Sequence, residues 1–155
     1  MELKKILVCP KCKTSIKKRG QKSKCKNCGF KYEYKDGIWH FLTLSKKSEK
    51  SKLGYEELHQ SPSLRLDDGS YEILAAIARG NKTLDIACGE GFIEKLSPET
   101  VGVDFSLNSL KKARKSGVKN LVLADAHALP FKNKSFDIAI CSGSLEHFLS
   151  PLKAL

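Results

Sequence analysis

The chain has 155 residues and 41% hydrophobic content, enough for a packed core, which excludes a disordered chain. It opens Met1-Glu2-Leu3-Lys4-Lys5 with no long apolar run behind, so the reading is no signal peptide, no membrane span and a cytoplasmic location. The net charge of +11 is uneven: residues 1–52 hold 16 Lys+Arg against 4 Asp+Glu, while residues 53–155 hold 12 against 13, which predicts two modules with different partners.

The basic part carries two cysteine pairs, Cys9-Pro10-Lys11-Cys12 and Cys25-Lys26-Asn27-Cys28, with twelve residues between them. Each C-x-x-C turn offers two thiolates, and Zn²⁺ takes four soft ligands in a tetrahedron. Pro10 pre-sets the first turn, and Gly29 can adopt the positive φ needed after the second. Two disulfides are disfavoured in a reducing compartment, and a redox dithiol would not come twice at ribbon spacing. With Cys9, Cys12, Cys25 and Cys28 all as ligands, no position is left for water, so the metal is expected to be structural. A module of about forty residues buries too little apolar surface to fold alone, so the metal would carry its folding.

Gly20 is the expected hairpin turn in the polar stretch between the knuckles. Phe30 to Tyr34 alternates as a strand, Asp36-Gly37 turns, and Ile38 to Leu42 reads as the next strand, with His40 a strand residue and not a fifth ligand. The runs I-L-V-C-P-K-C, C-K-N-C-G-F-K-Y and K-D-G-I-W-H-F-L resemble the small zinc-ribbon family that includes the activator subunit of tRNA and protein methyltransferases. Ribbons of this type also stand at the front of ribosomal RNA guanine methyltransferases.

Residues 45–69 read as a linker and entry helix: Ser45 to Lys52 is polar and low in complexity, Gly54 to Gln60 can begin a helix, and Ser61-Pro62 breaks it. Tyr55 and His59 are expected to pack on the surface. Ser70 is the expected N-cap of a helix whose Ile73, Leu74 and Ile77 share one face and which Gly80 closes. Thr83 to Ala87 is a short buried strand running into Cys88-Gly89-Glu90-Gly91 and the short helix Phe92 to Leu96. Strand, glycine loop and helix is the layout by which α/β proteins hold a nucleoside at the carboxyl ends of strands. A second strand, Val101 to Asp104, ends in an acid 19 residues after Asp85, where a carboxylate can receive two ribose hydroxyls. The crossover helix Ser106 to Ser116 follows, then strands Asn120 to Ala124 and Phe136 to Ile140, then a helix from Leu145 to Leu149.

The landmarks L-D-I-A-C-G-E-G, V-G-V-D-F-S, A-D-A-H-A-L-P-F and F-D-I-A-I-C-S-G-S-L-E-H-F stand in order over residues 83–149. As a set they resemble a class I S-adenosylmethionine (AdoMet)-dependent methyltransferase of the type-11 group. The resemblance implies AdoMet as cofactor and a role for each matching position. Asp85 would orient the methionine end through the loop Ala87-Cys88-Gly89-Glu90-Gly91, with Gly89 and Gly91 giving backbone contacts. Asp104, with Phe105 beside it, would hold the ribose. Asp125 would accept from the adenine amino group next to Ala126, and Cys141 and Ser142 would line the floor near the methyl.

The expected fold class is therefore α/β: an incomplete Rossmann-like parallel sheet of about four strands with a small N-terminal zinc ribbon. The expected division is residues 1–44 ribbon, 45–69 linker and 70–155 the N-terminal part of the methyltransferase domain. The family core has seven strands, and the sequence supplies four before it stops. A parallel strand left at an edge exposes unpaired backbone groups, so a fragment, half of a split enzyme or a degenerate binder is expected, with a partner chain or self-association completing the sheet.

The leading functional reading is an RNA methyltransferase whose basic ribbon docks the polyanion. The rivals are a small-molecule methyltransferase and a non-catalytic binding or activator protein. Methyl transfer from a sulfonium is mostly a matter of positioning, and a base is needed only if the acceptor has a proton to lose. His147 is the one candidate base. The sequence has no Asn/Asp-Pro-Pro-aromatic motif and no Pro-Cys pair after the fourth strand, so it lacks the signatures of amino-group and cytosine-C5 methylation.

Overall fold

The computed structural model describes residues 2–16, 22–42, 68–148 and 150–154. The turn expected at Gly20, Tyr55, His59, the Ser61-Pro62 break and most of the 45–69 linker lie outside the described residues. The strands are β1 (Lys22–Lys24), β2 (Lys31–Lys35), β3 (Ile38–His40), β4 (Thr83–Ile86), β5 (Val101–Asp104), β6 (Leu121–Leu123) and β7 (Ile138–Ile140). The helices are α1 (Leu3–Ile6), α2 (Ser70–Ala78), α3 (Phe92–Leu96), α4 (Leu107–Lys115) and α5 (Pro151–Ala154), with single 3₁₀ turns at Ala126–Ala128 and Leu145–His147. The last of these replaces the helix expected from Leu145 to Leu149.

All seven strands join one sheet in the order β1-β2-β3-β6-β5-β4-β7. Strands β6, β5, β4 and β7 are parallel, as the Rossmann-like reading requires. Successive crossovers through α3 and α4 step away from β4 on one side, and the chain returns to place β7 on the other. A crevice therefore opens at the carboxyl end of β4, the place where open α/β sheets bind ligands.

The ribbon hairpin continues this sheet. β1, β2 and β3 form an antiparallel meander, and β3 pairs in parallel with β6, Ile38 beside Leu121 and His40 beside Leu123. The knuckle segment is fastened separately: Leu7 bridges Phe131, Val8 N–H donates to the Pro130 carbonyl at 2.8 Å and Lys132 N–H to that of Ile6 at 2.9 Å. These pairings satisfy backbone groups that a sheet edge would leave open.

Alternation along the strands sorts the core into two faces. Leu84, Ile86, Val101, Val103 and Val122 pack with Leu7, Cys9, Cys25, Tyr32, Trp39 and Phe41, so the ribbon covers one face. On the other face Ile38, Leu121 and Leu123 meet Leu110, Ala113 and Val118 of α4 and the residues after it.

Helix α2 differs from its expected orientation. Its N-cap is Gly69, at φ 77°, and Asp68 Oδ1 accepts from Ser70 N–H at 2.9 Å, so the capping carboxylate precedes Ser70. Ala75 and Ala78 are buried, with Ile93 and Ile140, while Ile73 and Ile77 are 63% and 50% exposed. Small residues face inward because α3 packs close there, leaving no room for the isoleucines. No helix among the described residues is long and apolar enough to cross a membrane.

Candidate functional site

The four knuckle thiols converge. Cys9, Cys12, Cys25 and Cys28 place their Sγ atoms within 4.8 Å of one another, and Cys9–Cys28 and Cys12–Cys25 stand 3.5 Å apart. A disulfide needs about 2.05 Å. A tetrahedron of thiolates about 2.3 Å from Zn²⁺ has edges of about 3.8 Å, so the donor set and spacing fit that ion. Lys13 and Gly29, each one residue past its pair, adopt left-handed backbone at φ 57° and 72°. Burial pushes the Cys9 thiol up to about 12, whereas hydrogen bonding to Thr14 brings Cys12 down to about 5. A bound metal would deprotonate both.

The second cluster forms where β4 and β5 end. Ala87 and Gly89 turn the chain through left-handed backbone at φ 62° and 55°, and Gly91 follows at 74°. A Cβ on Gly89 would meet nothing within 4 Å, so that side of the loop faces open space. Asp104, 3% exposed, uses Oδ2 to accept from Gly89 N–H at 2.8 Å and Oδ1 to accept from Ser106 N–H at 2.7 Å. Its carboxylate thus splices β5 to the glycine loop and to the start of α4, where Ser106 Oγ caps Ser109 N–H.

Behind the loop lie three more buried groups: Asp85, Cys88 and Glu94. Gly102 pairs with Asp85 across the β4–β5 ladder, and a Cβ on Gly102 would fall 2.7 Å from both Cys88 Sγ and Glu94 Oε1. Neither Glu94 oxygen has a hydrogen-bond partner in a side chain that is almost wholly buried. Burial and the Glu94 carboxyl raise Asp85 to about 9, and burial raises Glu94 to about 7. Burial also drives the Cys88 thiol upward, so its sulfur is an inert packing atom here.

Past β6, Asp125 Oδ1 accepts from His127 N–H at 2.9 Å and meets His127 Nδ1 at 2.7 Å, while His127 Nε2 is buried without a partner. Phe148 packs edge-on against the same imidazole at 5.9 Å between ring centroids. Ala126 opens the 3₁₀ turn beside them, and Phe105 is half-buried after Asp104. Beyond β7, Cys141 Sγ lies 3.7 Å from Ser144 Oγ, which donates to the Ser142 carbonyl, and burial raises the Cys141 thiol. His147 is half exposed, with Nε2 3.9 Å from Glu146.

The carboxyl ends of β4, β5, β6 and β7 thus carry Asp85 to Gly91, Asp104 to Phe105, Asp125 to Ala126 and Cys141 to Ser142 along one edge of the sheet. Two residues there escaped the sequence reading. Glu94 was only one position of the short helix Phe92 to Leu96, and its burial has no local signal. His127 stood inside a quoted motif, and its i+2 spacing from Asp125 is the signal that could have found it.

Residues 84–155 match the family model described as "Methyltransferase domain". An uncharacterised protein of Methanocaldococcus jannaschii, MJ1252, is 36% identical over 79% of this chain and 47% of its own length. The ubiquinone biosynthesis O-methyltransferase of Bordetella avium is 29% identical over 63% of this chain and 44% of its own. The human mitochondrial arginine-hydroxylase NDUFAF5 is 32% identical over 70% of this chain and 31% of its own. The chain therefore spans half or less of the length of these curated relatives. Among solved structures, an S-adenosylmethionine-dependent methyltransferase of Thermotoga maritima superposes with a TM-score of 0.47 at 27% identity, covering 54% of this chain and 40% of that one.

Proposed function

Since residues 84–155 belong to the methyltransferase-domain family, we propose that this chain binds S-adenosylmethionine at the tips of β4, β5 and β6 as the cofactor-binding part of a methyltransferase. The observation that carries the reading is the Asp104–Gly89 splice: the acid at the tip of β5 accepts from the glycine loop after β4, and that loop is open on the side where a Gly89 Cβ would stand. The residues fit the cofactor. Asp104 and Asp125 are carboxylates, the acceptor chemistry that ribose hydroxyls and an adenine amino group call for, and Gly89 lets the ligand approach the backbone. Burial keeps Asp85 and Glu94 protonated to higher pH than exposed carboxyls, and release of those protons would offer a cationic ligand negative charge behind the loop. When bound, AdoMet supplies a methyl group on an electrophilic sulfonium. The chain's own residues bind it, orient it and exclude water. Zn²⁺ would be held by Cys9, Cys12, Cys25 and Cys28 as a structural ion.

For the acceptor we favour RNA, because the excess positive charge lies in the ribbon and the ribbon shares a sheet with the cofactor strands. A small-molecule acceptor is the second reading, favoured by the quinone-pathway names among the relatives. Completion of the sheet by a partner chain or a second copy is compatible with either, since β7 is an edge strand among the described residues.

Calorimetric titration with AdoMet tests the cofactor reading. Saturable binding that Asp104→Ala abolishes is expected, and no binding by the wild-type chain would overturn it. Salt-sensitive RNA binding separates the two acceptor classes.

A further inference from the structure

The ribbon hairpin and β6 form an open pocket of about 610 Å³ lined by Lys22, Ser23, Lys24, Lys31, Tyr32, Glu33, His40, Leu42 and Leu123. Alternation places Lys22, Lys24, Lys31, Glu33 and His40 on one face, where the register sets Lys22 opposite Glu33, Lys24 opposite Lys31 and Glu33 opposite His40. Like charges directly opposed destabilise a strand pair, so Lys24 facing Lys31 is a cost the fold carries without internal relief. Among the described residues, the ammonium groups of Lys22, Lys24 and Lys31 make no ion pair or hydrogen bond. The acid on this face, Glu33, lies 3.9 Å from His40 Nδ1. Three unpaired ammonium groups around a concavity of nucleotide size are a site for anions.

Its position in the sheet says which anions. β3 and β6 are parallel neighbours about 4.8 Å apart, so both end on the edge where the cofactor residues lie. His40 sits beside Leu123, two residues before Asp125. The antiparallel register then carries Lys31 and Lys24 on toward that same edge. A chain of phosphates lying in the pocket would run past the cofactor crevice, as an acceptor strand must.

We propose that this pocket holds the phosphodiester backbone of a single nucleic-acid strand, with Lys22, Lys24 and Lys31 as its phosphate contacts. The proposal rests on the RNA reading above and locates its docking site. A lipid surface is a poor occupant, because none of the large exposed apolar residues, Ile73, Ile77, Leu96 and Leu152, lies in the lining. A duplex is too wide for a cavity of this size.

The experiment uses the zinc-loaded full chain and fluorescence anisotropy with a labelled mixed-sequence RNA strand and its DNA counterpart, each longer than a site of roughly 4–16 nucleotides. Lys22→Gln/Lys24→Gln/Lys31→Gln is expected to weaken binding by about tenfold or more and to flatten the slope of log K against log salt by ~2, at about 0.7 per single-strand phosphate contact. Zinc content and AdoMet affinity should be unchanged, and the melting temperature should not fall, since the Lys24–Lys31 repulsion is relieved. Lys4→Gln/Lys119→Gln/Lys132→Gln, which removes the same charge from exposed sites elsewhere, should bind nearly as wild type. The proposal falls if the wild type binds neither strand, if the pocket variant binds as wild type, or if the control loses as much. It also falls if a free mononucleotide competes as well, per phosphate, as the strand. RNA preferred over DNA supports the acceptor reading, while equal binding keeps the pocket and removes RNA as its specific ligand. AdoMet binding without strand binding sinks the pocket alone. Strand binding without AdoMet binding sinks the cofactor reading alone.

Discussion

Asp104 Oδ2 accepts the N–H of Gly89 at 2.8 Å, tying the tip of β5 to the turn that follows β4. The same carboxylate accepts from Ser106, so one side chain fixes two loops that would otherwise leave buried donors unpaired. Asp104→Asn keeps the shape and turns one acceptor into a donor facing an N–H. The expected loss is about 1–3 kcal/mol of stability, read as a lower denaturant midpoint. AdoMet affinity should fall with it. A variant as stable as wild type would show that the splice carries no weight.

Ala87 occupies left-handed backbone at φ 62°, a conformation that costs a residue with a Cβ about 1–2 kcal/mol. Ala87→Gly should relieve that strain while adding about 0.4–1 kcal/mol of unfolded-chain entropy. The net expectation is a stabilisation of about 0.5–1 kcal/mol, or a melting temperature raised by ~1–4 °C. An unchanged or lower melting temperature would mean that Ala87 is not strained.

The cysteine knuckles and the strand-loop-helix units were legible because each is fixed by residues close in sequence. Cys9 and Cys12 specify their own turn, and Asp85 to Gly91 specify the loop. The parallel pairing of Ile38 with Leu121 was not legible, since residues some eighty positions apart leave no local mark. Nor was the orientation of α2: periodicity put Ile73 and Ile77 together, but only the close approach of α3 decides that Ala75 and Ala78 go inside. The burial of Glu94 was not legible either, because it depends on Gly102 leaving space for the carboxyl.

That burial has a pH signature. Folding raises both Asp85 and Glu94, to about 9 and about 7, so the folded state holds protons that the unfolded chain has released. Stability must then fall as pH rises from the unfolded carboxylate range through those folded values. We expect the free, zinc-loaded chain to lose about 1–3 kcal/mol between about pH 6 and about pH 9, and Glu94→Gln to flatten the profile. A cationic ligand would favour release of the protons these carboxyls hold, so AdoMet should bind tighter as pH rises in wild type and with less pH dependence in Glu94→Gln. Identical denaturation profiles for the two proteins across this window would show that Glu94 holds no such proton.

The zinc knuckle and the adenine-side loop are joined by backbone. Val8, next to Cys9, donates to Pro130, Lys132 donates back to Ile6, and Lys13 Nζ donates to the Leu129 carbonyl at 2.8 Å. Residues 129–132 follow directly on the 3₁₀ turn Ala126–Ala128 that Asp125 caps. Loss of the metal should therefore loosen the knuckle and slacken the turn that positions Asp125, although none of the four knuckle thiols is among the cofactor residues. Coupling between such sites is commonly about 1–3 kcal/mol. Chelation, or Cys12→Ser, is thus expected to lower AdoMet affinity roughly 5- to 150-fold together with melting temperature, and restored zinc should recover both in the chelated wild type. Should the stripped chain bind AdoMet as tightly as the loaded one, the ribbon would be a neighbour of the cofactor site without being coupled to it.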